Sequence, residues 1–441
     1  MSNNPLHTDG PWFRDEHGRA VILRGVNVAG NSKVPPFVPF TDPSLFDPLV
    51  RWGMNAIRLV LIWEAIEPQP GHYDERYLES MERLVTAAGE RGIHVVVDMH
   101  QDMFSRYLDK GCGDGAPSWA IDPSIPRDEP RNDETCIQWV LGVADKNVQQ
   151  AFQSFFANVD GVRDRYIAMW VHVAQRFADH PAVVGYDLMN EPIADGQTQI
   201  APLYEDTGAA IRQVDPGAIL FIESNVLTSM GIRPSELSPL SLGNYVYAPH
   251  FYSAAMALND VFDASDAAKA FAAIGSTARR LGGVPVLLGE YGMPPHKTQI
   301  VRYIDDLYRR LDECFYSGTQ WNYTPSWNAT DFDGWNKEDF SIADDRGNLR
   351  SNFRPRAYPQ CVAGHPLRLE VGDSALCLEW ENDPAIAAPT VLYVPADTMY
   401  RDTAFQVTAS PSVEYDFDVA ARRLTCTATG GGTKTIEVRP K

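Results

Sequence analysis

The stretch Val183-Val184-Gly185-Tyr186-Asp187-Leu188-Met189-Asn190-Glu191-Pro192 is an apolar run that ends in an amide, a carboxylate and a helix-incompatible proline. A second run, Val284-Pro285-Val286-Leu287-Leu288-Gly289, ends in the same way, in Glu290-Tyr291-Gly292. Strands of a parallel sheet are covered on both faces and read as near-continuous apolar segments, so each run is a strand that delivers a glutamate at its carboxyl end. Six further strands follow by the same reading: Val21–Val28, Asn55–Ile62, His94–His100, Ala218–Glu223, Tyr245–Phe251 and Gly318–Tyr323. Helical periodicity fills the intervals, as in Glu75–Arg91 with Leu78, Met81, Leu84 and Val85 on one face, Asp164–Ala178, Ala267–Leu281 and Gln299–Cys314. Strand then helix, eight times, predicts an α/β chain whose main body is a (β/α)8 barrel, with chemistry at the carboxyl ends of the strands.

Two regions depart from that rhythm. More than eighty residues separate His100 from Val183, and Trp119, Trp139, Phe152, Phe155 and Phe156 within them argue for an ordered excursion. Beyond about residue 360 the pattern shortens to alternating runs such as Leu367–Val371, Leu376–Trp380, Thr390–Val394, Val413–Phe417, Leu424–Ala428 and Lys434–Val438, which read as a small all-β sandwich. The expected division is therefore a barrel over 1–360 and a sandwich over 361–441.

The chain has 441 residues, 44% of them apolar and 22% charged, as expected of an ordinary globular protein. Its net charge of −20 opposes a duplex nucleic acid or an anionic membrane as partner. No run of 18 apolar residues is present to span a membrane. Residues 1–13 show no basic segment followed by an apolar run, so the expected location is secreted if a leader preceded Met1 and cytoplasmic otherwise. None of the six cysteines forms a C-x-x-C pair, against a zinc ribbon or thioredoxin-like site. Cys112 and Cys136 share the excursion and form a candidate bridge, conditional on an oxidising compartment. A Cys377–Cys426 pairing is a second candidate, although alternation places Cys377 with Glu379 and away from Leu376, Leu378 and Trp380, while Cys426 shares a face with Leu424.

Polar residues at the other strand ends keep the two glutamates company: Arg58, His100, His250 with Tyr252, and Trp321. Paired carboxylates about 5–5.5 Å apart are what double-displacement cleavage of a glycosidic bond requires, one as nucleophile and one as acid then base. A guanidinium such as Arg58 and a phenol such as Tyr252 beside one carboxylate would keep it ionised, while the partner needs its proton held. Asn190 is placed to reach a sugar hydroxyl, and Trp321 offers a flat apolar face to a sugar ring.

The ordered set Arg58, His100, Asn190-Glu191-Pro192, His250, Tyr252, Glu290 and Trp321 resembles the active site of glycoside hydrolase family 5, the retaining barrel group that includes cellulases and mannanases. The resemblance implies Glu191 as acid/base and Glu290 as nucleophile. Gly25–Lys33, Asp98–Asp102, Gly115–Trp119, Asp333–Asp339 and Arg354–Pro359 are similar to the endoglycoceramidase branch of that family. Sugar-contacting positions carried over by that likeness are Lys33, Asp98, His100, Asp102, Asn190, Trp321 and, less closely matched, Trp139. The implied reaction splits a glycan from ceramide in a glycosphingolipid, with no metal or cofactor, no obligate protein partner, and transient contact with a lipid surface or micelle. Trp119, Phe152, Phe155, Phe156 and the segment from Pro35 to Phe40 are candidates for the lipid side, the alternative being that the three phenylalanines pin a short helix to the barrel. Competing expectations are a glucosylceramidase or steryl-glucosidase, a polysaccharide endoglucanase, and a non-catalytic glycolipid-binding barrel.

Overall fold

The computed structural model describes residues 6–137, 139–229, 233–372, 374–395, 399 and 405–441. All eight barrel strands are present: β1 (Arg24–Val28), β2 (Ala56–Ile62), β3 (His94–His100), β4 (Val183–Asp187), β5 (Ile219–Ile222), β6 (Tyr245–Tyr247), β7 (Leu287–Leu288) and β8 (Ser317–Gln320). They are parallel neighbours in the order β7-β8-β1-β2-β3-β4-β5-β6. A Tyr247–Val286 bridge closes the ring. Just beyond it, His250–Phe251 pairs in parallel with Glu290–Tyr291, with His250 directly opposite Glu290.

The period of a strand assigns the residues of β2. Ile57, Leu59 and Leu61 join the apolar layer shared with the surrounding helices. Ala56 instead belongs to a separate apolar plug inside the barrel with Leu23, Val96, Val184, Ile219, Phe221, Val246 and Leu287. Leu6 and Phe13 of two N-terminal strands seal the foot of that plug, Phe13 stacking on Phe221 at 6.1 Å. Two positions further along β2, at the same face, stands Arg58, fully buried. An apolar floor thus carries a charged layer, and the charge needs partners from the other strand ends.

The C-terminal module comprises β9 (Tyr358–Val362), β10 (Gly364–Val371), β11 (Leu376–Asn382), β12 (Thr390–Tyr393), β13 (Phe405–Ala409), β14 (Val413–Asp418), β15 (Arg423–Ala428) and β16 (Gly432–Pro440). One sheet runs β10-β11-β16-β13; the other runs from the N-terminal strands Leu6–Asp9, Trp12–Asp15 and Ala20–Val21 through β9-β12-β15-β14. The two sheets enclose Leu376, Leu378, Trp380, Leu392, Leu424, Ile436 and Val438. The division expected at 360/361 falls inside β9, whose Cys361 and Val362 pair with Val21 and Ala20 at the start of the chain. The N-terminal strands escape a sequence reading because they are two to four residues long. Tyr358 and Tyr393 fix the module to the barrel, donating to the Gly53 carbonyl at 2.6 Å and the Arg51 carbonyl at 2.7 Å.

The excursion after β3 contains a helix, Lys146–Phe156, capped by the Asp145 carboxylate on the Asn147 and Val148 amides. Its Phe152, Phe155 and Phe156 are buried; Phe152 packs on Phe104, Phe155 on Phe104, Trp63 and Tyr166, and Phe156 on Phe152 and Phe155, so they pin the helix to the barrel rather than line a lipid path. Phe37 is buried as well, whereas Val38 and Phe40 are half-buried along a groove of about 490 Å³. Cys112 and Cys136 form a disulfide with Cα atoms 5.5 Å apart, worth about 3 kcal/mol for a loop of this size in the chain-entropy model. The second candidate pair is not made: Cys377 and Cys426 are free and lie in different sheets. Among the described residues no helix is long and apolar enough to cross a membrane.

Candidate active site

Arg58 organises the strand ends. Its Nε donates to Asp187 at 2.8 Å; Nη1 donates to Glu290 at 2.9 Å and to the Asn27 side chain at 3.1 Å; Nη2 donates to Asp98 at 2.7 Å, Asn190 at 2.9 Å and Glu223 at 2.9 Å. A buried guanidinium is tolerated when its fork is filled in this way. Removing it leaves four acids without their shared cation, so Arg58→Leu is expected to lose about 3–5 kcal/mol of stability, read as a lower urea midpoint, while Arg58→Lys loses less. An unchanged midpoint in Arg58→Leu would contradict this assignment.

One carboxylate oxygen each from Glu191 and Glu290 and a ring nitrogen of His250 lie within 4.8 Å of one another. Glu290 accepts from Arg58 and, at 2.8 Å, from the Tyr252 hydroxyl. Burial pushes its proton affinity up, but the charges of His250 and Arg58, with His100 and Lys33 behind them, outweigh this and hold the carboxyl below its ordinary range. For Glu191 burial prevails: the pKa is raised, with the His250 ring at 3.0 Å opposing and the negative charges of Glu290 and Glu223 adding to the rise. The two carboxyls are therefore driven apart in acidity by their surroundings. Glu191 is also held in the left-handed backbone region, at φ 40°, a conformation that costs a non-glycine residue energy and persists only under external restraint. That restraint comes from its N–H, which donates to Glu223 at 2.9 Å, and from its carbonyl, which accepts from the Gln101 amide at 3.1 Å.

Glu223 is one of the residues that the sequence does not single out. It is buried, accepts from Arg58 and from the Glu191 backbone, and stands 3.2 Å from His250 Nε2. Burial alone would discharge His250; the nearby Glu223 and Glu290 carboxylates outweigh it and raise the pKa well above the usual histidine value. The signal was available, since Glu223 closes β5 as Glu191 closes the segment after β4.

A second group flanks the pair. Lys33 Nζ lies 2.6 Å from Asp102 and 3.8 Å from Glu338, and sits over the rings of Trp321 at 4.4 Å and Trp335 at 3.9 Å. His100 stacks on Trp321 with centroids 5.3 Å apart, donates from Nδ1 to the Asp98 carboxylate at 2.8 Å, and lies 3.5 Å from Asp102. Burial disfavours its charge, yet Asp98 and Asp102 raise it to about 10, so it is a cation. Asn190 is committed at both ends, its oxygen to Arg58 and its amide to the Gln101 carbonyl at 3.0 Å. The structure thus gathers Lys33, Arg58, Asp98, His100, Asp102, Asn190, Glu191, His250, Tyr252, Glu290 and Trp321 into one constellation, and adds Asp187, Glu223, Trp335 and Glu338. Trp139 opens the turn Trp139–Ala144, and its side chain lies outside the described residues.

A barrel mouth with two closely spaced carboxyls of opposed acidity, flanked by stacked aromatic rings and hydrogen-bonding groups, defines a glycoside hydrolase. The chain belongs to glycosyl hydrolase family 5: residues 14–326 match the cellulase model of that family, and residues 356–438 match the family 5 C-terminal domain. It is similar to endoglycoceramidase I of Rhodococcus hoagii, 27% identical, with 98% of this chain and 88% of that one covered. Among solved structures it is similar to endo-glycoceramidase II from Rhodococcus sp. in complex with ganglioside GM3, at TM-score 0.84 and 28% identity over 98% of this chain and 100% of that one. Sterylglucosidase 1 of Cryptococcus neoformans shares the fold, at TM-score 0.82 and 17% identity over 100% and 97% of the two chains.

Proposed function

We propose that this enzyme is a retaining endoglycoceramidase that cleaves the β-glycosidic bond between a glycan and ceramide. The observation that carries the chemistry is the carboxyl pair within 4.8 Å, one below and one above the ordinary acidity. At that separation a water does not fit between acid and base as inversion requires, which favours a covalent intermediate. Glu290, ionised beside Arg58 and Tyr252, attacks the anomeric carbon; Glu191 gives its proton to the departing ceramide oxygen, then takes one from the water that releases the glycan. His250 sits between them as a fixed cation. The Lys33, Asp102, His100 and Trp321 group holds the sugar next to the cleaved bond. The likeness to glycoceramidases over nearly the whole of both chains supports the lipid aglycone. The Cys112–Cys136 disulfide suits action in an oxidising compartment, outside the cytosol.

The test is chromatography of products from lactosylceramide, glucosylceramide and a cello-oligosaccharide, each in detergent. Lactose with intact ceramide is the expected result. Cleavage of glucosylceramide alone would mean a pocket closed behind one sugar, and cleavage of the oligosaccharide alone would overturn the lipid reading.

A further inference from the structure

Asp114 is fully buried, and among the described residues no donor reaches either of its carboxyl oxygens. It sits directly opposite Asp102 in an antiparallel bridge, its N–H donating to the Asp102 carbonyl at 2.9 Å. Residues so opposed hold their side chains in contact, and like charges there repel. A carboxyl oxygen of Asp114 indeed lies within 4.8 Å of ligand atoms of both Asp102 and His100. The approach is enforced by the flanking glycines: a Cβ at Gly113 would lie 2.5 Å from the Ser105 carbonyl oxygen, and one at Gly115, where φ is +111°, would lie 2.4 Å from Gln101 Cβ. The neighbouring Cys112 is bound to Cys136, and its carbonyl accepts from the Asn336 amide at 2.7 Å.

Two buried carboxyls this close do not both ionise. Lys33 at 2.6 Å and His100 at 3.5 Å both serve Asp102, while Asp114 has no donor among the described residues, so the proton belongs to Asp114. We propose that Asp114 is a neutral carboxylic acid that donates its proton to Asp102 and thereby orients the Lys33–Asp102–His100 group for sugar binding. Asp114 is a positioning residue, and the proposal rests on the reading of that group as the sugar site. Burial and the Asp102 charge act together to raise its pKa well above the usual value, against Lys33 and His100.

Asparagine mimics a protonated aspartate, which makes the proposal separable from a merely structural role. In the infrared difference spectrum of the whole enzyme at neutral pH, wild type minus Asp114→Asn, a carbonyl band of an un-ionised buried acid is expected; a carboxylate band in its place would overturn the proposal. With an aryl β-lactoside, Asp114→Asn should keep KM near the wild-type value, whereas Asp114→Leu should raise it about tenfold or more, the loss implied by one hydrogen bond to a charged group, with less effect on kcat. An equal rise in KM in both variants would also overturn it. Should Asp114→Leu fail to fold, the asparagine variant still decides; should wild-type enzyme ignore the lactoside, the sugar reading fails while the spectrum still reports on Asp114.

Discussion

Glu290→Gln is expected to abolish turnover of lactosylceramide, by roughly 10⁴–10⁶-fold in kcat, the scale seen when an enzymic nucleophile is removed, while binding of the glycolipid survives. The substitution is nearly isosteric. The amide oxygen can keep the Arg58 donor and the amide nitrogen can face the Tyr252 oxygen, so the hydrogen-bonded frame around position 290 persists. What is lost is the charge that attacks. Arg58 and His250 keep wild-type Glu290 ionised, and that ionised form has no counterpart in a neutral amide. The check is steady-state turnover together with binding measured by calorimetry. Turnover near the wild-type rate would remove Glu290 from the nucleophile's role; loss of binding along with turnover would show that the carboxylate holds the sugar rather than attacks it.

The parts of this machine that were legible in the sequence are those written by periodicity and strand-end chemistry. Eight apolar runs give eight strands, and Arg58 within β2, His100 at the end of β3, and Glu191, His250 and Glu290 just past β4, β6 and β7 meet at one mouth because a barrel converges its strand ends. What sequence spacing does not express is how many acids one buried cation must satisfy. Glu223 and Asp187 occupy strand ends as plainly as Glu191 does, but their need arises only once Arg58 is known to be fully enclosed. The phenylalanines of Lys146–Phe156 illustrate the converse ambiguity: spacing i, i+3, i+4 specifies one helix face but not what covers it, and here the barrel does. Of the N-terminal strands, Ala20–Val21 pairs with β9, more than three hundred residues away in sequence, and Leu6–Asp9 and Trp12–Asp15 join the sheet through it, so no local pattern announces them. Lys33 and Asp102 were placed by resemblance; their contact at 2.6 Å, and the opposed Asp114 beside it, are products of register.

Glu191→Ala should depend on the leaving group in a way that no structural lesion would imitate. Ceramide departs as an alkoxide unless protonated, so its release should fall about 10²–10⁴-fold, the usual share of a general acid. A 2,4-dinitrophenyl lactoside needs little protonation, and its first step should stay fast. The second step then lacks its base, so the lactosyl-enzyme should accumulate and give a burst of phenol. Azide, which attacks without losing a proton, should restore turnover and leave as β-lactosyl azide, with the anomeric configuration kept. The pH profile carries the same information. In the wild type the basic limb marks loss of the Glu191 proton, set above the ordinary carboxyl value by burial; the acidic limb marks protonation of Glu290, set below it by His250 and Arg58. Because the two carboxyls interact, the limbs belong to the pair. Without Glu191, activity on the dinitrophenyl substrate with azide should persist through the alkaline range where wild-type activity declines, and the acidic limb should remain. Equal loss on ceramide and dinitrophenyl substrates, with no azide adduct, would sink the acid/base role and leave Glu191 as a residue that only shapes the site.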